Sequence, residues 1–224
     1  SLVDFNLTAA SLAHALDAPI NGGLVDILKD PKRIDQTVLD KLLIPYGSRL
    51  DILSSEADAL TPYSHCAPGL KALLELLAQR YNYTLVDCSH GAPAALKELV
   101  FKFSDTVILV CDLTFSSVRE TSRLIQHFKE NAGVEQKLMV VANKENQYSS
   151  GEISKSDFEN AINYPVTLVM PFDGKVTLEC LNSAQPVVKV NSPLATTLKD
   201  FSAYLAGKPL KQKETSFLKN IFSA

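Results

Sequence analysis

Three stretches decide the fold: Tyr83-Thr84-Leu85-Val86-Asp87-Cys88, Thr106-Val107-Ile108-Leu109-Val110-Cys111 and Leu138-Met139-Val140-Val141-Ala142. Each is a short apolar run rich in β-branched residues, without the polar alternation of a half-exposed strand, so each predicts a strand buried on both faces. Leu2 to Phe5, Leu50 to Leu53 and Val166 to Met170 have the same character. Between the runs the period changes. Leu70, Leu73, Leu74 and Leu77 recur at helical spacing, as do Val118, Leu124, Ile125 and Phe128, and Leu194, Leu198, Phe201 and Leu205. Strands separated by amphipathic helices predict an α/β protein with a predominantly parallel, doubly wound sheet and helices on both faces. Asn21 to Tyr46 adds two short helices, broken at Asp30-Pro31, with Asp35 as an N-cap.

The 224 residues are 46% apolar and 21% charged, enough for one large core, and no Gly/Ser/Pro-rich linker divides them. A net charge of -3 argues against a whole-molecule nucleic-acid face, which needs concentrated Lys and Arg. Cys66, Cys88, Cys111 and Cys180 lack metal-ligand or disulfide-framework spacing, and His14, His65 and His127 lack a second ligand nearby. No apolar run approaches the roughly 18 residues of a membrane span, and no leader-like segment opens the chain. These features together predict a cytoplasmic protein.

In open α/β sheets ligands bind beyond the carboxyl ends of the strands. The polar residues ending the runs are therefore the candidates: Asp4 and Asn6, Asp87 to Gly91, Asn143-Lys144, and Pro171-Phe172-Asp173. Asp87, closing an apolar strand, suits water-mediated Mg²⁺ binding. An aspartate at a strand–helix junction also caps helices, and both roles stay open. Cys88 and His90 could imitate a nucleophile and base, but no third, orienting residue accompanies them. No GxxxxGK(S/T) phosphate loop is present, and the first strand begins at residue 2, so a preceding strand and phosphate loop are expected upstream.

The order of motifs resembles the MinD/ParA group of deviant Walker A, P-loop NTPase-like proteins, and within it the CpaE/TadZ proteins of type IV (Flp/Tad) pilus assembly. Leu2-Val3-Asp4-Phe5-Asn6-Leu7 is similar to the family's LVDxDL strand. Ala15-Leu16-Asp17, Gly23 to Leu28 and Arg33-Ile34-Asp35 resemble the pilus branch's LD, GLxDxL and RLD stretch. Tyr83 to Asp87 resembles the switch II strand, Val140 to Lys144 the adenine-side strand, and Met170 to Asp173 the IPxD motif. The likeness runs from residue 2 to about 206.

The resemblance implies ATP and Mg²⁺ as cofactors, with Asp4, Asn143, Pro171, Phe172 and Asp173 binding nucleotide and Asp87 holding Mg²⁺ through water. It implies a sandwich homodimer that recruits pilus or secretion machinery, either cytoplasmic or peripheral at the inner membrane or cell pole. Two departures matter. Asn6 stands where active members carry the aspartate assigned to the attacking water, and an amide cannot accept that proton, so weak or absent ATP hydrolysis is expected. Ser89 stands where a switch II proline is usual. Asn143-Lys144-Glu145-Asn146 lacks the final aspartate of the guanine-reading NKxD motif, so adenine is preferred.

The alternatives are a nucleotide-free interaction module of the same fold and a ParA/MinD-type partitioning or positioning ATPase; DNA partitioning would need a basic patch that the helices show only as scattered Lys and Arg. Residues 1–207 form the expected domain and 208–224 a basic amphipathic tail. In the tail Lys208, Lys211, Lys213 and Lys219 face Glu214 alone, and Phe217, Leu218, Ile221 and Phe222 share one helical side. That pattern suits an anionic membrane as well as docking on the domain.

Overall fold

The computed structural model describes residues 1–57, 66–88, 92–148 and 150–210. The chain opens with β1 (Leu2–Asp4) and three short helices, α1 (Ser11–Ala15), α2 (Gly23–Lys29) and α3 (Gln36–Leu42). A tight pair, β2 (Ile44–Pro45) and β3 (Asp51–Leu53), precedes α4 (Ala67–Arg80). Strand and helix then alternate through β4 (Leu85–Asp87), α5 (Ala94–Phe103), β5 (Thr106–Asp112), α6 (Phe115–Asn131) and β6 (Lys137–Glu145). The described part closes with α7 (Lys155–Ile162), β7 (Leu168–Pro171), α8 (Gly174–Asn182) and α9 (Pro193–Leu205).

Helix starts follow local chemistry. Asp35 accepts the Val38 amide at 2.8 Å, as expected of a cap, and Thr114, Ser154, Asp173 and Ser192 do the same for the helices they precede. The break at Asp30-Pro31 is a single 3₁₀ turn, Pro31–Arg33. In α4, Leu70, Leu73 and Leu77 are fully buried, each stabilising the fold by roughly 1.5–3 kcal/mol. In α6 the buried stripe is Thr121, Ile125 and Phe128, while Leu124 turns outward.

All six predicted strands are present, and their pairings are parallel: β1 with β3 and β4, β5 with β6, and β6 with β7. The one antiparallel pairing joins β2 to β3. Val140, Val141 and Ala142 are consecutive and fully buried, which requires cover on both faces of the sheet there. The hydrogen-bonded ladder is interrupted. Strand order is β2-β3-β1-β4 in one group and β5-β6-β7 in the other, each over its own apolar cluster. The end strands β4 and β5 expose Leu85 (55%) and Val110 (63%), unlike the sealed interior of β6.

Candidate functional site

The strand ends gather the candidates into two groups, one on each ladder. On the first, Asp4 and Asp87 are direct neighbours, in register at the carboxyl ends of β1 and β4. The Phe5 amide donates to the Asp87 carbonyl at 3.1 Å and extends the pairing one step further. Asp4 is fully buried. One carboxylate oxygen accepts the Asn6 amide at 2.9 Å, and the other accepts the Leu12 amide at 2.9 Å and the Ser54 hydroxyl at 3.2 Å. Held in this way, the Asp4 carboxylate sets the loop that carries Asn6.

Asn6 sits in that loop with its side chain engaged on both sides. Its Nδ2 donates to Ser11 Oγ at 3.0 Å, and its Oδ1 accepts from Thr8 Oγ1 at 3.2 Å. Ser54 and Ser55, just past β3, are also fully buried, and the Ser55 hydroxyl has no hydrogen-bond partner. The residue before α5 is Pro93, which gives that helix no side-chain cap. Next to Asp87, burial pushes the Cys88 thiol up to about 12, with the Asp87 charge adding to it, which opposes a nucleophilic role. Ser89, His90 and Gly91 lie outside the described residues, as do His65 and 211–224 of the tail.

On the second ladder, Asn143 pairs in register with Asp112 at the end of β5. Asn143 Oδ1 accepts the Lys144 amide at 2.9 Å. A register shift between Ala142 and Glu145 then lets Glu145 pair with Pro171, and the Phe172 amide donates to the Glu145 carbonyl at 2.9 Å. Lys144 and Asn146 occupy left-handed backbone conformations (φ 60° and 65°), which non-glycine residues adopt at a cost of order 1 kcal/mol each. Phe172 is 42% exposed, with its ring over Gly174, where an added Cβ would lie 2.7 Å from a ring atom. Asp173 Oδ1 accepts the Val176 amide at 3.1 Å and is thus the cap of α8. The structure therefore brings Asn143, Pro171, Phe172 and Asp173 to one edge, and Asp4, Asn6 and Asp87 to another.

Among the described residues no cluster of three or more His, Cys, Asp or Glu could hold a metal alone. A Mg²⁺ that arrives with phosphates needs only one or two protein carboxylates, the remainder being water and phosphate oxygen. Asp87, a carboxylate at a strand end beside a sealed neighbour, fits that requirement. Asp112 closes the apolar run of β5 as Asp87 closes that of β4, so the same pattern of an acid ending an apolar run marks both.

In open, mainly parallel α/β sheets, ligands bind beyond the carboxyl ends of the strands, where these polar residues stand. More closely, the chain has the P-loop NTPase fold of the MinD/ParA type. The ParA family ATPase from Chlorobium tepidum TLS matches with a TM-score of 0.70 and 21% identity, over 91% of this chain and 98% of that one. The septum site-determining protein MinD complexed with Mg-ADP from Pyrococcus horikoshii matches with a TM-score of 0.67 and 22% identity, over 92% and 84%. In sequence, the septum site-determining protein MinD of Synechocystis is 24% identical over 190 residues, 83% of this chain and 68% of its own length. No protein-family profile matches the chain. Among the described residues no helix is long and apolar enough to cross a membrane.

Proposed function

We propose that the chain is part of an ATP- and Mg²⁺-dependent scaffold protein of the MinD/ParA type, with slow or absent turnover, that positions type IV (Flp/Tad) pilus assembly or secretion machinery. The observation that carries the nucleotide reading is the register: Asp87 beside Asp4 on one ladder, and Asn143 beside Asp112 on the other, all at carboxyl ends of parallel strands. In this reading Asp87 holds Mg²⁺ through water and Asn6 occupies the place of the catalytic acid. Asn143, Pro171, Phe172 and Asp173 form the base side, with the Phe172 ring offering an apolar face. The phosphates in this reading are held by a loop that follows a further parallel strand beside β4. Nucleotide favours a sandwich homodimer, whose affinity difference from the monomer sets the switch. The pilus assignment rests on the motifs of residues 15–35.

The test is calorimetric titration of the full-length protein with MgATP. Asp87→Ala is expected to weaken binding about tenfold or more with Mg²⁺ and to change it little without. Absence of ATP binding would leave a nucleotide-free interaction module. A second reading, a positioning ATPase of the MinD kind, has the Synechocystis relative on its side. A fluorescent fusion separates the two: polar foci that vanish when the pilus secretion machinery is deleted support the pilus role, and foci that persist support the positioning ATPase.

A further inference from the structure

The segment joining β6 to α7 is held by a single carboxylate. Glu152 turns back on the segment, its Oε2 accepting the Asn146 amide and its Oε1 the Tyr148 amide, both at 2.9 Å. Gly151 before it takes a left-handed φ of 93°, which makes the return possible. The next residue, Ile153, donates its amide to the Leu113 carbonyl at 2.9 Å, just past β5, while the Glu145 carbonyl accepts the Phe172 amide, just past β7. One short arch thus ties together the carboxyl ends of β5, β6 and β7, and Asn143 and Phe172 stand on two of them.

The two left-handed residues, Lys144 and Asn146, flank the tie at Glu145. Such conformations persist only where the surroundings over-determine them, and they concentrate at ligand-binding segments. Glu152 is the group that over-determines this one, through two charge-assisted bonds to main-chain donors. Those donors, Tyr148 first and then Asn146, hold its carboxyl below the usual range, so the clasp is made by the ionised form. The arch adds little to the core: Asn143, Glu145, Gln147 and Glu152 are only half-buried, and Lys144, Asn146 and Tyr148 are exposed. What it fixes is the edge of the sheet where a ligand would sit.

We propose that Glu152 is a positioning residue for the nucleobase: by clasping the Asn146 and Tyr148 amides it holds Asn143 and Phe172 in the arrangement that receives the base. The proposal rests on the nucleotide reading above. It assigns Glu152 no contact with ligand. Its effect falls on the base and not on the phosphates, which belong to the other side of the site.

The experiment compares the full-length wild type with Glu152→Ala and Glu152→Gln. In the nucleotide-free proteins, hydrogen exchange of the Asn146 and Tyr148 amides is expected to be protected in wild type, about tenfold or more faster in the alanine variant, and intermediate in the glutamine variant, which keeps one acceptor. Calorimetry then uses two probes, MgATP and magnesium tripolyphosphate, the second having no base. Glu152→Ala is expected to weaken MgATP about tenfold while leaving tripolyphosphate within about twofold, with glutamine partly restoring ATP affinity. Unprotected amides in wild type overturn the clasp. Equal weakening of both probes, or of neither, overturns the base-positioning role. A wild type that binds neither probe sinks the nucleotide reading and this inference with it, whereas wild-type ATP binding with an indifferent Glu152→Ala sinks this inference alone.

Discussion

Asp4 and Asp87 are cross-strand partners at the carboxyl ends of β1 and β4, yet Asp4 is fully buried with both oxygens accepting hydrogen bonds, while Asp87 is only partly buried. The Asp4 carboxylate ties the end of β1 to the start of α1 and to Ser54 beyond β3. Asp4→Asn keeps the shape but sets an amide N–H against a main-chain donor, removing at least one bond to a charged acceptor. The expected loss is about 3 kcal/mol of stability, read from the denaturant midpoint. A loss below about 1 kcal/mol would show that the buried carboxylate is not what holds this loop.

Gly69 lies where α4 crosses α2, and an added Cβ would stand 2.6 Å from the carbonyl oxygens of Ile27 and Leu28. Those atoms are main chain and cannot swing aside. Gly69→Ala, which would otherwise favour a helix, is expected to destabilise by about 1–3 kcal/mol, measured by thermal unfolding. An unchanged or higher midpoint would mean the crossing is looser than described.

Tyr81 donates its hydroxyl to Asp51 Oδ2 at 2.5 Å, and burial first, then this bond and the Asp51 charge, push its pKa up to about 12. A group whose folded value lies above its unfolded value of roughly 10 contributes its stability in full below that pH. The contribution is lost as pH rises from 10 towards 12. Absorbance titration of the seven tyrosines is expected to show one late component, moved to lower pH in Asp51→Ala but not abolished, since burial remains.

The six parallel strands were legible because each is a short, mainly apolar run; double-sided burial accounts for that in β6, whereas β4, β5 and β7 carry the same composition while only partly covered. The two-residue β2 left none: Ile44–Pro45 is defined by the turn that returns Tyr46 to Leu50, where the Tyr46 amide meets the Leu50 carbonyl at 2.7 Å and Gly47 takes φ 74°. The role of Asp4 was hidden for a similar reason, since its partners stand eight and fifty residues away and are chosen by packing. Glu152 looked like any surface acid, because main-chain donors that converge on a carboxylate have no side-chain signature. The division of the strands into two ladders was equally invisible in composition, because pairing partners are not written in the strands themselves.

The tail 208–224 carries four lysines against one glutamate, beside Phe217, Leu218, Ile221 and Phe222. Each lysine near an anionic surface contributes about 1 kcal/mol, so binding to such vesicles should be reversible and weaken with salt. Co-sedimentation of the full-length protein with phosphatidylserine vesicles, with and without the tail, measures this. Equal sedimentation of both forms would remove the membrane role.

Asn6 offers the sharpest test of turnover. Its amide is already held between Ser11 and Thr8, and its main-chain nitrogen is held by Asp4, so the loop presents this position in a fixed geometry. Asn6→Asp changes one atom of the side chain and leaves that frame in place, although the Ser11 hydroxyl must now donate where it accepted; a hydroxyl can rotate to do so. The new carboxylate can accept a proton from an attacking water, which the amide cannot. A general base of this kind is worth roughly 10²-fold to 10⁴-fold. Single-turnover hydrolysis of ATP by the full-length protein is therefore expected to accelerate by that order in Asn6→Asp, with ATP affinity changed little. A natural protein as fast as the variant would show that Asn6 is not the brake. A variant that binds ATP but stays slow would place the block elsewhere, in the phosphate loop or in residues 89–91.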